Sequence, residues 1–525
     1  MRRVGIFGWG IVAPRSPDIE AFERNLESPE SWLAPYDGFG PNNFMVGVPE
    51  FDFADYKGWI DERFPPNRFS QLEKKMGQPT LFAIGAFIQA LQQNPGIEKV
   101  LTELGSEAHV YVGTGLGDLP TIGEASLTYH RAQRRWDRFW ANPERNEALA
   151  AWLAKSETEQ LEEEGAPPKP EAALDEDRDL AEERFWRYWA SRSTGLAEYL
   201  KELREIESLS IEGEVDVEAA KLGMLREKRN RTARLKKKWN APDAPWELVP
   251  AALLFNIHNT PASQISMMGK ITGMTFAPVA ACASFGYALH MAVNAIDSGQ
   301  AKAVVIGMTD PAPLPMLVGS FYDARVISAD GSVSKPLTGM RGTHVGGGSV
   351  VWIVGDYEYM AAKGFKPLGM EPIGVGVSAD ANHIITPSKE GPLVAIRNAL
   401  DQAGVDPAEI RTWDLHATAT PGDFLEVENM RKLIPEDVLV TARKGTFGHG
   451  MSAGGGWELT AQYMGYARGK HFPTPLKKDE LNPSIGQVHK KFVFDEPVEA
   501  KGLAGKLSMG IGGINACVIS RPWEK

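Results

Sequence analysis

The sequence predicts an α/β protein interrupted by an inserted helical subdomain. Three observations lead there. Residues 1–118 and 251–525 alternate short apolar runs with Gly/Pro turns and helical stretches, the texture of strands and helices packed in layers. Residues 119–250 are instead helical and highly charged, and hold 7 of the chain's 14 tryptophans. The chain is 525 residues long but has only two cysteines. That length supports a large core and more than one structural unit, while two thiols exclude a disulfide framework or a C-x-x-C zinc module.

The overall balance is that of a soluble chain. Hydrophobic residues make up 43% and charged residues 24%, and the mean hydropathy is -0.26. A formal net charge of -12 excludes a general affinity for nucleic acid or anionic membrane. No apolar stretch is long enough to cross a bilayer. Residues 1–8 read as a short buried strand and a glycine turn rather than a targeting signal, so the expected location is cytoplasmic.

In chain order, strands are expected over 4–7 and 109–113, with a helix over 81–91 between them. Residues 251–355 complete this first half, with strands near 303–307 and 350–354. Residues 356–525 form the second half, with a strand over 413–416. Between 119 and 250, aromatics recur at helical spacing in Trp136, Phe139, Trp140 and in Phe185, Trp186, Tyr188, Trp189. Acidic residues 157–164 and Pro167-Pro168-Lys169-Pro170 predict a joint. A basic run follows: Arg226, Lys228, Arg229, Arg231, Arg234, Lys236, Lys237 and Lys238. A solvated helix face explains such a run, and so does a dock for an acidic partner.

Four segments carry chemistry. Cys282 lies between the apolar, strand-like residues 278–281 and a helical stretch over 287–296, with small residues at the turn. A cysteine at a helix N-terminus is expected to have a lowered pKa and raised nucleophilicity. Alone, a lone cysteine is more often buried and inert. His416 ends an apolar strand in His416-Ala417-Thr418-Ala419-Thr420-Pro421-Gly422-Asp423. Alternate threonines and a Pro-Gly turn describe a site rim rather than a core, although Asp423 could simply cap the turn. His449 sits in Lys444-Gly445-Thr446-Phe447-Gly448-His449-Gly450, with Glu458 on the helix that follows. Glycines on both sides allow close backbone approach to a ligand. Ser508-Met509-Gly510-Ile511-Gly512-Gly513-Ile514-Asn515 precedes a terminal strand over 516–520. It is either a plain hairpin or a loop whose N–H groups face an oxyanion.

Taken in order, these segments resemble the signature of the β-ketoacyl-[acyl-carrier-protein] synthases, condensing enzymes of the thiolase-like fold. The resemblance covers residues 1–118 and 251–525. Ala281-Cys282-Ala283-Ser284 is similar to the family's nucleophile elbow, and Asn259-Thr260-Pro261-Ala262 fits upstream of it. His416-x-Thr418-x-Thr420-Pro421, with Asp423 and Glu426, is similar to the first histidine motif. Lys444-x-x-x-Gly448-His449 is similar to the second, with Glu458 in the place of the lysine-paired glutamate. Gly510-Ile511-Gly512-Gly513-x-Asn515 is similar to the C-terminal gating loop.

The resemblance implies a layered αβαβα arrangement of two similar halves, each with a mixed five-stranded sheet. It implies acyl transfer to Cys282, then decarboxylative Claisen condensation with malonyl-acyl carrier protein in fatty acid or polyketide-type biosynthesis. His416 and His449 would polarise the malonyl thioester and stabilise its enolate, with Lys444 and Glu458 behind them. The N–H groups of Cys282 and Ile511, flanked by Gly510 and Gly512, would form the oxyanion hole. Thr418 and Thr420 would bind the phosphopantetheine arm of a carrier-protein or coenzyme A thioester. No bound cofactor or metal is implied. A homodimer is implied, and so is an acidic carrier partner, for which Arg229, Arg231, Arg234 and Lys237 are the candidate dock.

The sequence also departs from the family. Ile511 stands where Phe is usual, and Met509 occupies the preceding aromatic position. The stretch 338–348 lacks the family's acidic residues and places His344 near the expected pocket. The competing readings are weaker. A degradative thiolase needs a second catalytic cysteine in a Cys-x-Gly motif, which Cys517-Val518 does not supply. Gly113-x-Gly115-x-Gly117 has the wrong spacing for dinucleotide binding, and no cluster has zinc spacing. A non-catalytic or decarboxylase-only partner subunit is the remaining alternative, against which stand Cys282 and both histidines.

Overall fold

In a computed structural model of the chain, residues 2–40, 43–163, 165–210, 217–384 and 388–524 are described, for 217–220 the backbone alone. Met1, at the head of the first expected strand, and Glu164, at the end of the expected joint, lie outside them. The chain divides into two compact units. Met1–Pro120 with Leu254–Lys525 form one, and Thr121–Leu253 form the other.

Two five-stranded sheets organise the larger unit. The first contains β1 (Val4–Val12), β2 (Ala108–Gly113), β3 (Thr275–Phe276), β4 (Ala303–Asp310) and β5 (Gly348–Asp356), in the order β1-β5-β4-β2-β3. The second contains β6 (Met370–Ala379), β7 (Ile410–Asp414), β8 (Leu439–Thr441), β9 (Leu503–Gly510) and β10 (Ile514–Pro522), in the order β6-β10-β9-β7-β8. In each sheet the first two pairings are antiparallel and the last two parallel. Each strand of the first sheet therefore has a counterpart five numbers later in the second. Every residue of β1, β2, β4 and β5 is buried. Covered on both faces, these strands read as continuous apolar runs rather than as alternation.

The helices used below are α1 (Gln78–Gln92), α2 (Leu119–Trp140), α3 (Arg178–Ala190), α4 (Thr194–Glu207), α5 (Val217–Trp239), α6 (Ser284–Asp297), α7 (Gly391–Ala403), α8 (Gly422–Met430) and α9 (Met451–Ala467). Helix α1 packs on β1, β5 and β4, and α7 packs on β6 and β10 with α8 beside it, so each sheet has a helical outer layer. Helices α6 and α9 pack on each other and touch both sheets. They form the central layer of a five-layer αβαβα stack. All residues of α9 from Met451 to Tyr466 are buried, the signature of a helix enclosed on every side. Its glycines have a packing reason: a Cβ on Gly456 would lie 2.5 Å from Val350 Cγ1 and 2.8 Å from the Phe285 ring.

The smaller unit is helical, as its composition predicts. The aromatics at helical spacing form its core. Trp136, Trp140, Trp152, Phe185, Trp189 and Tyr199 are buried, with the Trp152 and Trp189 rings 5.1 Å apart. The acidic stretch expected as a joint opens with a short helix, Glu157–Leu161, started by a Ser156 capping box. No helix among the described residues is long and apolar enough to cross a membrane.

Two local expectations are corrected. The strand before His416 ends at Asp414, two residues early. The strand-like residues 278–281 are irregular, and Cys282 sits in a single 3-10 turn, Ala281–Ala283, directly before α6. Ala281 holds a φ of 46° there, a left-handed conformation that ends any strand.

Candidate active site

The Cys282 turn, the end of β7, the segment between β8 and α9, and the β9–β10 hairpin meet at one point between the two halves. The Cys282 sulfur and a ring nitrogen from each of His416 and His449 all lie within 4.8 Å of one another. The imidazole centroids are 5.5 Å apart and the rings nearly perpendicular, at 84°. The expected set of Cys282, His416, His449, Lys444 and Glu458 is thus brought together.

Hydrogen bonds assign the imidazole tautomers. His449 Nδ1 accepts from the backbone N–H of Met451 at 3.1 Å. His416 Nδ1 lies 3.3 Å from Lys444 Nζ, a donor-only group. Both rings therefore carry their proton on Nε2. Both histidines are held far below their ordinary pKa, His449 down to about 3. Burial is the main cause in each, and the Lys444 charge adds to it. The site thus presents two neutral N–H donors at physiological pH.

Lys444 is fixed between two acceptors. Its Nζ donates to Glu458 Oε1 at 2.6 Å and to the His416 carbonyl. The pair is buried, with side-chain exposures of 3% and 0%. Two carboxylates behind the site shape the His416 loop. Glu426 accepts from the N–H groups of His416 and Ala417 at 2.6 and 2.8 Å. Asp423 accepts from Thr418, Ala419 and Leu337. Burial raises both acids, Asp423 to about 6 and Glu426 to about 7. Thr418 and Thr420 hydroxyls lie 3.0 Å apart on the partly exposed side of this loop.

The expected low pKa of Cys282 is not what its surroundings give. The thiol keeps some exposure, yet desolvation dominates and pushes it up to about 11. The Lys444 charge and the N–H of Ile511 oppose that rise without cancelling it. Ile511 is at the tip of the β9–β10 hairpin with its side chain half exposed, and its N–H faces the Cys282 sulfur. Gly510 makes this approach feasible: a Cβ there would lie 2.9 Å from the Ala280 carbonyl and 3.2 Å from Cys282 N. Gly512 adopts a φ of 94°, which the turn requires. The loop is therefore both a hairpin and an N–H donor.

Other expectations separate. His344 does not line a pocket with a free ring. Its Nε2 accepts from Ser334 N–H and its Nδ1 donates to the Met45 carbonyl. Its role is at the backbone, where its carbonyl accepts from His449 N–H at 2.6 Å. Met509 is buried in the second-half core and lines a narrow cavity with Leu507, Leu425 and Glu426. In the basic run, Arg231 is paired with Glu227, and Lys228, Lys236 and Lys238 are paired with Glu207, Asp243 and Glu202. Arg229, Arg234 and Lys237 are exposed and make no ion pair among the described residues.

Sequence reading missed several groups. Asp310 is buried and holds Ser452 at the start of α9 against Thr114 and Leu116 of the Gly113–Gly117 turn. That gives this turn a structural purpose in place of nucleotide binding. Buried Lys506, Asp414 and Arg443 lie behind His416. The pairing of Lys506 with Asp414 across β9 and β7 was hidden because β9 was not expected. Left-handed backbone marks the site as well: Ala281, Ala419 and Met451 have φ of 46°, 60° and 48°, strain of the kind that gathers at functional positions.

Comparison with known proteins agrees with this geometry. The family "Beta-ketoacyl synthase, N-terminal domain" matches residues 223–358, and "Beta-ketoacyl synthase, C-terminal domain" matches 371–475. The chain is 28% identical over 291 residues to the chloroplastic 3-oxoacyl-[acyl-carrier-protein] synthase I of Hordeum vulgare, covering 53% of this chain and 62% of that protein. It is 29% identical over 287 residues to 3-oxoacyl-[acyl-carrier-protein] synthase 2 of Vibrio cholerae, covering 52% and 69%. The matched stretch thus spans between three fifths and seven tenths of the length of these relatives. Among solved structures, a β-ketoacyl synthase from Burkholderia phymatum superposes with a TM-score of 0.68 at 18% identity, covering both chains completely. The ishigamide ketosynthase/chain length factor gives 0.67 at 18%, again over both whole chains. With both family domains present in order on a ketosynthase fold, this chain belongs to the β-ketoacyl synthase family.

Proposed function

We propose that the protein is a condensing transferase that lengthens an acyl chain by decarboxylative Claisen condensation with malonyl-acyl carrier protein. The observation that carries this reading is the convergence of one thiol and two Nε2–H imidazoles within 4.8 Å. In the first step the Cys282 thiolate attacks an acyl thioester. The N–H groups of Cys282 and Ile511 hold the oxyanion, and the departing pantetheine thiolate takes up a proton. In the second step a malonyl thioester loses CO₂, and its enolate oxygen is held by the Nε2–H groups of His416 and His449. The enolate carbon attacks the acyl-Cys282 carbonyl, and the Cys282 thiolate leaves. The balance is acyl thioester plus malonyl thioester plus one proton, giving 3-oxoacyl thioester, CO₂ and free thiol. The reaction needs no resident cofactor, and the Thr418 and Thr420 hydroxyls would hydrogen-bond the pantetheine amide.

The partners follow from surface features. The exposed cations Arg229, Arg234 and Lys237 suit an acidic carrier protein. One structural neighbour is a type II PKS acyl-carrier protein in complex with its ketosynthase, at a TM-score of 0.64 and 16% identity. Strand β3 ends its sheet with an open edge, and Met274 and Val279 beside it are exposed at 47% and 52%. That edge suits a second copy of this chain, so a homodimer is proposed, to be checked by sedimentation equilibrium. The raised Cys282 thiol favours one alternative, a subunit that only decarboxylates malonyl thioester. Incubation with acyl donor and malonyl-carrier separates the two: 3-oxoacyl product supports condensation, and acetyl-carrier with no ketoacyl product supports the alternative.

A further inference from the structure

A third buried cation stands behind the histidines, and the chemistry above does not use it. Lys506 lies on β9, in register with Asp414 on β7, which is in register with Thr441 on β8. These three side chains form one cross-strand row behind His416. Lys506 is 1% exposed. Its Nζ donates to the carbonyls of Leu507 at 2.6 Å and Leu415 at 3.3 Å. It also lies 2.9 Å from Glu458 Oε2 and 3.6 Å from Asp414 Oδ1. Both contacts are between opposite charges in a buried setting. Glu458 is therefore held by two lysines, Lys444 on Oε1 and Lys506 on Oε2.

We propose that Lys506 is a positioning residue of this site: it locks Glu458 onto Lys444 and, as an excess buried cation, keeps His416 and His449 uncharged and able to donate from Nε2. The inference rests on the condensing-enzyme reading for its functional meaning, but not for its electrostatics. The groups around the two imidazoles are few. Arg443 and Lys444 come from the segment before α9, Glu458 from α9 and Lys506 from β9. Asp414 comes from β7, Asp423 and Glu426 from α8, Cys282 from its turn and Asp310 from the end of β4. Arg443 is tied to Asp414 at 3.0 Å, and Lys444 to Glu458. Lys506 is the cation left over. Asp423 and Glu426 direct their charge at backbone N–H groups, and burial holds both toward neutrality. Burial and the Lys444 charge depress both histidines most, and the charge of Lys506 adds to them; the carboxylates of Glu458 and Asp414 help hold Lys506 protonated.

Three single variants test this: Lys506→Met, Lys506→Gln and Lys506→Arg. Histidine titration is read by NMR on protein labelled at imidazole Cε1, and His416 and His449 signals are identified by their loss in His416→Asn and His449→Asn. Malonyl-carrier decarboxylation is followed over the same pH range. Both neutral variants are expected to raise the two histidine midpoints by about one pH unit and to move the acid limb of decarboxylation upward with them. Lys506→Arg is expected to leave both near wild type. Gln retains a donor for Leu415 and Leu507, so a hydrogen-bonding role would make it resemble wild type while Met differed. That pattern, or midpoints unmoved in folded Met and Gln variants, overturns the inference. If wild-type protein decarboxylates nothing, the histidine midpoints alone decide the matter, and the loss counts against the condensing reading.

Discussion

The Nδ1 atom of His449 accepts the backbone N–H of Met451, 3.1 Å away. Met451 is the first residue of α9 and holds a φ of 48°. The helix start therefore fixes both the ring orientation and the tautomer of the histidine before it. A donor presented in this way costs no reorganisation when an enolate forms. Replacing His449 with Ala is expected to lower condensation about 10² to 10³-fold, while acylation of Cys282 stays within a few-fold of wild type. Single-turnover measurement of the two steps checks this split.

Gly510 is expected to tolerate no side chain. A methyl group would meet the Ala280 carbonyl at 2.9 Å and Cys282 N at 3.2 Å. Gly510→Ala should push the Cys282 turn away from Ile511 N–H and slow acylation at least tenfold. The accompanying overpacking costs about 1–3 kcal/mol, visible as a lowered Tm. Equal acylation rates in the two proteins would remove Ile511 N–H from the account.

The basic helix α5 yields a charge-reversal prediction. Arg229→Glu, Arg234→Glu and Lys237→Glu together are expected to raise KM for carrier-bound substrate several-fold with little change in kcat, and added salt should raise KM in the wild type. Arg231→Glu alone should matter less, since Glu227 already neutralises Arg231 at 2.6 Å. A KM unchanged by the triple reversal would place carrier docking elsewhere.

Acid should destabilise the protein in a definite window. His109, His344, His416, His449, His471 and His489 are all held below their ordinary pKa by burial. The native state keeps them neutral, whereas unfolded histidines bind protons as pH falls through about 6.5. Their stabilisation is thus present above that pH and is lost on acidification. Asp423 and Glu426, raised to about 6 and 7, act in the opposite sense, as do Asp137, Asp310 and Asp414, also raised by burial, but they are five groups against six. Stability should therefore fall from pH 6.5 to 5, by about 1.4 kcal/mol per pH unit for each net proton taken up on unfolding. Urea midpoints measured across that range check the sign.

The sequence made most of this site legible because its signals are local. Cys282 before a small-residue turn, Thr418 and Thr420 at alternate positions, and Lys444 five residues before His449 all lie within short windows. What stayed hidden depends on strand pairing. Met370–Ala379 contains Pro372 and two glycines, and Leu503–Gly510 contains two glycines and a charged Lys506; these weaken a strand signal and conceal β6 and β9. Without β9, Lys506 could not be placed opposite Asp414. The direction of the Cys282 pKa was missed for a related reason. A helix start is visible in sequence, but the burial that outweighs it is created by residues over a hundred positions away, at His416, Lys444 and the Ile511 hairpin. The inserted aromatics at helical spacing, by contrast, were recognisable as elements of a separate helical core.

Cys282 is expected to carry the growing acyl group and deliver it to a malonyl-derived enolate. The most direct test is intact-mass analysis of wild-type and Cys282→Ala protein with a panel of acyl thioesters, followed by malonyl-carrier. An acyl adduct is expected on wild type alone, discharged by malonyl-carrier with appearance of a 3-oxoacyl product. Adducts of equal yield on Cys282→Ala, or an adduct that malonyl-carrier never discharges, would contradict it.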